Sequence, residues 1–268
     1  MKKTLIALAV AASAAVSGSA MAAWTPNLSG LNNFELGGTI TPKDNVTPWE
    51  AMIGNAFKNL DSNIKKGQSN VVLMTTSAIP VLGIRTAQNT AFSTDAYQNA
   101  TPIIDYGTAV DLAGIVDSKA PLTLVVKDGT TDLPIGTLKT SLFVGAVQSF
   151  TGNGSGYNVL LGGSAGTTDN VFTGGLPTSS SMIPDSQNVI NTLNAISTEF
   201  SANFDKQGQS SLGNPSVGDI NGGTPVMYSA YYGSGIVNGE KVIINLTSPV
   251  AATAVTWKAS LPITLSYQ

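Results

Sequence analysis

The chain has 268 residues, of which 11% are charged and 42% hydrophobic, with no cysteine and no histidine. Those two absences remove a disulfide framework, any Ser-His-Asp or Cys-His nucleophile, and the ordinary zinc and copper sites. With 16 acids against 13 bases and no basic run, the composition also excludes a typical nucleic-acid binder.

Lys2 and Lys3, an apolar stretch from Leu5 to Val16, and an A-x-A pattern at Ala20 and Ala22 form a secretory signal peptide over residues 1–22. The apolar stretch is well short of the ~20 residues a membrane span needs. Cleavage after Ala22 leaves 268 − 22 = 246 residues and a formal charge of 11 − 16 = −5. That length can bury a substantial core, so the mature chain is expected to be soluble after export.

Next comes "LNNFELGGTI" (residues 31–40), in which Phe34, Leu36, Gly38 and Ile40 share one face. Period-2 alternation marks a strand with one buried side, yet no hairpin partner follows closely. The pattern alone fits equally a strand paired within its own sandwich.

Further along, "TPWEAMIG" puts Trp49, Ala51 and Ile53 on one face, and 70–76 and 79–86 are apolar runs of strand length. Residues 121–147 read as two strands around the Asp128-Gly129 turn, with Leu138, Leu142 and Val144 in the second. From Phe150 to about Pro225 the chain is rich in Gly, Ser and Asn and reads as elaborate loops. One helix interrupts them: Val189, Leu193, Ile196, Phe200 and Phe204 recur at three or four residues, and Pro184 with Asp185 supplies the start. The spacing predicts a helix over Asp185–Asn203. An Asn238-Gly239 turn then leads into Val242, Ile244 and Leu246, and the chain closes on a strand with Ile263, Leu265 and Tyr267 alternating. Many short strands separated by turn residues predict an all-β sandwich.

The chemical motifs are weak. "GNGSGY" (152–157) and "LLGGSAGTT" (160–168) lack the lysine of a phosphate loop and the βαβ context of a dinucleotide fold. Glu35, Glu50, Asp105, Asp111, Glu199, Asp219 and Glu240 are the carboxylates a histidine-free hydrolase would draw on, but they are scattered and lie largely on polar faces. "DGTTD" (128–132) lacks the later bidentate Glu of a calcium loop and reads as a turn. No cofactor or metal is implied. Trp49, Trp257, Phe200 and Phe204 fall on apolar faces and read as core. Tyr157 and Phe172 lie in glycine-rich stretches, where a ring stacks on a sugar or packs its own loop.

The N-terminal "GGTI", together with "PVLGIRT", "GGSAGT" and "YYGSGIVNGEKV…VTWKASLPITLSY", resembles the kappa-class chaperone–usher fimbrial subunits of the FaeG-like group. The likeness covers most of the chain and is poor from Phe150 to Pro225 outside "GGSAGT". It implies an incomplete immunoglobulin-like sandwich, completed by donor-strand exchange and carrying an inserted loop and helix subdomain at about 150–225. Residues 23–40 would then be the donor extension and 41–268 the pilin domain. Phe34, Leu36, Gly38 and Ile40 would fill the groove of another copy. Ile263, Leu265 and Tyr267 would pair with a strand lent by a periplasmic chaperone. The implied partners are other copies of the chain, that chaperone, an outer-membrane usher and a host glycan receptor. The likeness transfers no sugar-contacting residue; ring faces that suit a sugar and Asn and Ser that suit its hydroxyls make the region around Tyr157, Phe172 and the Asp185–Asn203 helix the expected contact. The implied destination is a surface fimbria reached through the periplasm. Three alternatives stand beside this reading: a purely structural subunit, a receptor-binding module that never polymerises, and a secreted carboxylate hydrolase.

Overall fold

The computed structural model describes residues 47–58, 60–97, 100–163, 170–218, 220, 226–251 and 253–268. The strands are β1 (Trp49–Ile53), β2 (Asn70–Met74), β3 (Ile79–Thr86), β4 (Phe92–Ser93), β5 (Pro102–Asp105), β6 (Lys119–Asp128), β7 (Pro134–Gly152), β8 (Gly154–Leu161), β9 (Ser216–Val217), β10 (Met227–Ile236), β11 (Lys241–Leu246), β12 (Trp257–Ala259) and β13 (Thr264–Tyr267). Among the described residues one α-helix, α1 (Ser186–Ile196), stands between β8 and β9. The predicted all-β, immunoglobulin-like architecture with an inserted helix is what forms.

β7 is 19 residues long and organises the rest. Along its first half it pairs with β6 on one side and β11 on the other, and β2 and β12 extend that sheet outward. Along its second half it pairs with β8 and β10, and β10 continues to β3 and then β1. The side chains follow the change. From Pro134 to Thr140 exposed and buried or half-buried positions largely alternate, whereas Leu142 to Ser149 is buried throughout. Alternation belongs to a strand wet on one face; an unbroken buried run belongs to one covered on both. Leu142, Val144 and Ala146 face the main core with Trp49, Leu82, Ile84 and Phe172. Phe143 and Val147 face a second cluster formed with Val189, Leu193, Ile196 and Phe200 of the insert.

That second cluster rests on a row of glycines. Gly83, Gly233 and Gly145 are direct cross-strand partners on β3, β10 and β7. A Cβ on Gly233 would lie 2.4 Å from Phe200 Cδ2, one on Gly83 2.7 Å from Phe200 Cδ1, and one on Gly145 2.8 Å from Val189 Cγ1. Three missing side chains thus open a trough into which the helix and the turn after it settle. α1 is shorter than predicted: Asp185 caps its start by accepting from Asn188 N at 3.0 Å, and it ends at Ile196. Ser197 takes an extended conformation there, and a 3-10 turn over Thr198–Ser201 carries Phe200 onward. β1 also departs from expectation. Trp49 is buried, but Ile53 is 63% exposed, on a strand that is an edge among the described residues. The stretch around Gly152–Tyr157, read as loop, is the β7–β8 hairpin, with Gly152 and Gly154 supplying its left-handed backbone at φ 132° and 87°.

A buried hydroxyl cluster ties the layers together. Tyr106 Oη lies 2.8 Å from Tyr232 Oη and 2.7 Å from Ser234 Oγ, and Tyr232 donates to Gly175 O at 3.2 Å. Burial pushes the Tyr106 phenol up to about 12, the two hydroxyl contacts only partly offsetting it. An unfolded tyrosine titrates at about 10. The protonated phenol therefore stabilises the fold fully below pH 10, and that contribution is lost as pH rises from 10 through 12. We expect an alkaline fall in urea midpoint worth about 2–3 kcal/mol from this group. Tyr106→Phe should flatten that fall without abolishing it, because buried Tyr232 is raised as well; an unchanged alkaline profile would show that Tyr106 is not its source. The glycine trough makes a separate prediction. Gly233→Ala should destabilise the chain by about 1–3 kcal/mol through overpacking and accelerate amide hydrogen exchange across 186–204 before it does so in β6.

Candidate assembly edge and candidate receptor face

The C-terminal run carries the first candidate site. β12 pairs with β6, and the chain then crosses to the small sheet, where β13 pairs antiparallel with β5, Leu265 opposite Ile104 and Tyr267 opposite Pro102. Thr101 and Gln268 exchange backbone bonds of 2.8 and 3.1 Å at the end of this ladder. The other side of β5 is taken by Thr173, through Ile104 N to Thr173 O at 2.8 Å and Thr173 N to Pro102 O at 2.9 Å. Among the described residues no strand pairs with the outer side of β13 or of β12. Leu261, Ile263, Leu265 and Tyr267 all point at the main core, yet each is only half-buried. Partial burial raises the Tyr267 phenol. The outcome is a sheet edge whose apolar side chains are in place and incompletely covered. Phe34, Leu36, Gly38 and Ile40 lie outside the described residues.

The insert carries the second candidate. Beside α1 a groove of about 650 Å³ is lined by Asp117, Lys119, Asn188, Asn191, Thr192 and Asn238, with Phe143 and Ile196 among its apolar neighbours. Asp117 and Ser118 form a two-residue turn with φ of 51° and 62°, closed by Lys119 N to Val116 O at 2.9 Å and Val116 N to Lys119 O at 3.1 Å. Such turns favour asparagine and glycine, so a serine held there is a strained element at the groove's rim. Lys119 is held by Glu240 at 2.6 Å.

The two aromatics expected to meet a sugar are placed otherwise. Phe172 is 1% exposed, its ring 5.1 Å from Trp49 and 6.1 Å from Tyr232, so it is a core residue with no face to offer. Tyr157 sits in β8 rather than in a loop, is 7% exposed, stacks against Phe204 at 5.8 Å and lies under Lys206 Nζ at 4.9 Å. Both rings support the layers behind the insert surface. The sequence offered no warning of this: for Tyr157 a short strand between glycines looks like a loop until its partners are known, and Phe172 does lie in an irregular segment, but one whose ring is taken into the core by Trp49 and Tyr232. The polar side of the helix is placed differently from the two rings: Asn188, Asn191 and Thr192 line the groove beside it.

The described candidate carboxylates are engaged structurally: Asp105 and Asp111 accept from the backbone of Gly107 and Ala113, and Glu240 holds Lys119, while Glu35 and Asp219 lie outside the described residues. Glu50 Oε1 and Glu199 Oε2 both hold Arg85, at 2.5 and 3.3 Å, and Asn203 Nδ2 donates to Glu50 at 3.1 Å. A cavity of about 180 Å³ lies at this junction of β1, β3 and the insert. Among the described residues, no three acids gather where they could hold a metal ion. No described helix is long and apolar enough to cross a membrane.

Comparison with known proteins places this architecture. The family model for fimbrial major and minor subunits matches residues 1–268. The chain is 30% identical over 285 residues to the F41 fimbrial protein of Escherichia coli and 31% identical over 295 residues to that organism's K88 fimbrial protein AC, with 100% of each chain covered in both cases. It is 28% identical over 291 residues to K88 fimbrial protein AD, again end to end. A full-length match to the family model and to these relatives establishes that this chain belongs to the family of fimbrial major and minor subunits, the structural subunits of surface fimbriae.

Proposed function

We propose that this subunit polymerises by donor-strand exchange and that its insert meets a host glycan. The observation that carries the first part is the C-terminal edge: four apolar side chains at spacing two, half-buried on the core, beside an outer side left unpaired among the described residues. The extension offers a matching set of four, Phe34, Leu36, Gly38 and Ile40, at the same spacing. Strand addition to such an edge supplies a ladder of backbone bonds and covers the groove together. Before assembly a periplasmic chaperone would lend the strand, and an outer-membrane usher would hand subunits to the growing fibre. An open edge left uncovered would invite aggregation.

The glycan reading drops Tyr157 and Phe172 and narrows to the helix, at the groove beside α1. Its amides, hydroxyl and carboxylate suit a hydroxyl-rich ligand, and its apolar floor suits the carbon face of a sugar. No catalysis is proposed, since Glu50 and Glu199 are both spent on Arg85.

Three outcomes follow. Each large side chain of the donor strand contributes ~1.5–3 kcal/mol on burial, whereas Phe34→Arg would put a charge into the groove at roughly several kcal/mol. Phe34→Arg cells should therefore lack fibres in electron micrographs while the chaperone-bound monomer accumulates. Moving residues 23–40 behind Gln268 through a flexible linker should give a soluble monomer independent of the chaperone; aggregation of that chain, with fibres still made by Phe34→Arg, would defeat the donor-strand reading. For the receptor, Asn188→Ala with Asn191→Ala should lower adhesion of assembled fimbriae on a glycan array at least tenfold without changing fibre yield, and undiminished adhesion would remove the groove from the proposal.

A further inference from the structure

One face of the subunit carries a charge opposite to that of the chain as a whole. On the sheet built by β2, β11, the first half of β7, β6 and β12, cross-strand partners share a face. Met74 pairs with Lys241, Val72 with Ile243, Ile243 with Lys139, Lys139 with Thr123, and Lys127 with Lys258. The inward row is the small core of Val126, Leu138, Val242 and Ile244. The outward row bears four exposed lysines, Lys127, Lys139, Lys241 and Lys258, and no acid among its strand residues. Asp132, at the rim, pairs with Lys258 at 3.0 Å. Lys127 and Lys258 stand directly opposite each other across the ladder, an arrangement that costs stability. Val72 and Met74, 51% and 55% exposed, extend the same face.

The other end of β7 has the opposite sign. Around its second half and the insert lie Glu50, Asp95, Asp185, Glu199 and Asp205 against Arg85 and Lys206, a formal balance of 2 − 5 = −3. Their placement there is fixed by contacts: Arg85 is opposite Tyr231, which is opposite Val147. Ser149 Oγ donates to Asp205 O at 2.5 Å. Asp95 follows β4, which pairs with Met227 and Tyr228 at the start of β10. From Lys139 to Val147 is eight residues of strand, roughly 25 Å. The subunit is thus polar along β7, basic on one sheet face and acidic around the insert.

We infer that this lysine face is a second contact between copies, docking on the acidic insert half of another subunit, separate from the strand-exchange joint. The inference rests on the fimbrial-subunit reading. A contact joining two different surfaces is heterologous and repeats without closing, which is the symmetry a filament uses. Complementary charge gives such a contact its register and orientation. The mature chain carries a net −5, so copies approaching at random repel each other; the lysine face is where that repulsion turns to attraction. Screening by salt should weaken it, since exposed charges interact over about 8–10 Å at physiological ionic strength.

A zero-length carbodiimide coupling tests this on assembled wild-type fimbriae. The reagent joins a lysine to a carboxylate in direct contact, and roughly 25 Å of strand separates Lys139 from the level of Val147, where Glu199 and Asp95 gather. After denaturation, mass spectrometry should find Lys139 linked to Glu199 or Asp95, in a covalent ladder of subunits. The yield should fall at least tenfold in 0.5 M salt and in a Lys139→Glu, Lys241→Glu variant that still makes fibres. Fibres with no such links, or with links indifferent to charge reversal, overturn the inference and leave the subunit reading intact. Retention on heparin through these lysines without links would identify an anionic polymer as partner and also overturn it. Absence of fibres from the wild-type chain would sink the subunit reading and this inference together.

Discussion

The backbone of β7 must find partners on both edges for nineteen residues, and that demand shapes everything around it. Its first half is met by β6 and β11, its second by β8 and β10, so one strand belongs to two differently covered sheets. Where one face is wet, the sequence can afford Thr137 and Lys139 on alternate positions. Where both faces are covered it reads "LFVGAVQS", and even its polar members are buried: Gln148 donates to Asn158 Oδ1 at 3.3 Å, and Ser149 bonds Asp205 O. The insert is the reason for the second covering. Without α1 and Phe200, Phe143 and Val147 would face solvent, and the glycine row beneath them would be an unexplained weakness in the sheet.

Much of this was legible in the sequence. The alternating strands, the turns at Asp128-Gly129 and Asn238-Gly239, and the apolar stripe of the helix follow from local periodicity and turn chemistry, which need no knowledge of the partner. The helix end was overestimated because Phe200 and Phe204 continue the stripe at helical spacing. The stripe persists although the helix does not: a 3-10 turn delivers Phe200 to the same cluster. Periodicity reports which side chains must be buried, and more than one backbone can satisfy it.

The rest depended on contacts between distant segments. Gly83, Gly145 and Gly233 are separated by 62 and 88 positions in the numbering, and only strand register turns them into one trough. Tyr106 and Tyr232 are 126 residues apart, and nothing local marks either as a partner of the other. Tyr157 and Phe172 failed as surface rings for the same reason: glycine neighbours suggested loops, whereas β8 and the Trp49 cluster claim them. The lysine face was equally hidden. Lys127, Lys139, Lys241 and Lys258 are scattered over more than a hundred residues and form a patch only when four strands are laid side by side.

Stability without a disulfide sets the last constraint. The chain has no cysteine, so its terminal strands are held by burial and ladder bonds alone. Among the described residues β13 has one ladder, to β5, and the run from Leu261 to Tyr267 carries four half-buried side chains, an edge arrangement that frays readily. In the reading proposed here, the incoming donor strand supplies the missing ladder and buries Leu261, Ile263, Leu265 and Tyr267 from the other side. Three large donor side chains at ~1.5–3 kcal/mol each would contribute about 4.5–9 kcal/mol, the same order as the ~5–15 kcal/mol that separates a typical folded domain from its unfolded chain. Folding and joining are then the same event. A subunit whose neighbour completes its core cannot leave the fibre without losing much of its own stability, which is a different route to a durable polymer from covalent cross-linking. A polar, salt-sensitive contact between lysine face and insert adds little to that durability. What it can set is the angle at which one completed subunit lies against the next.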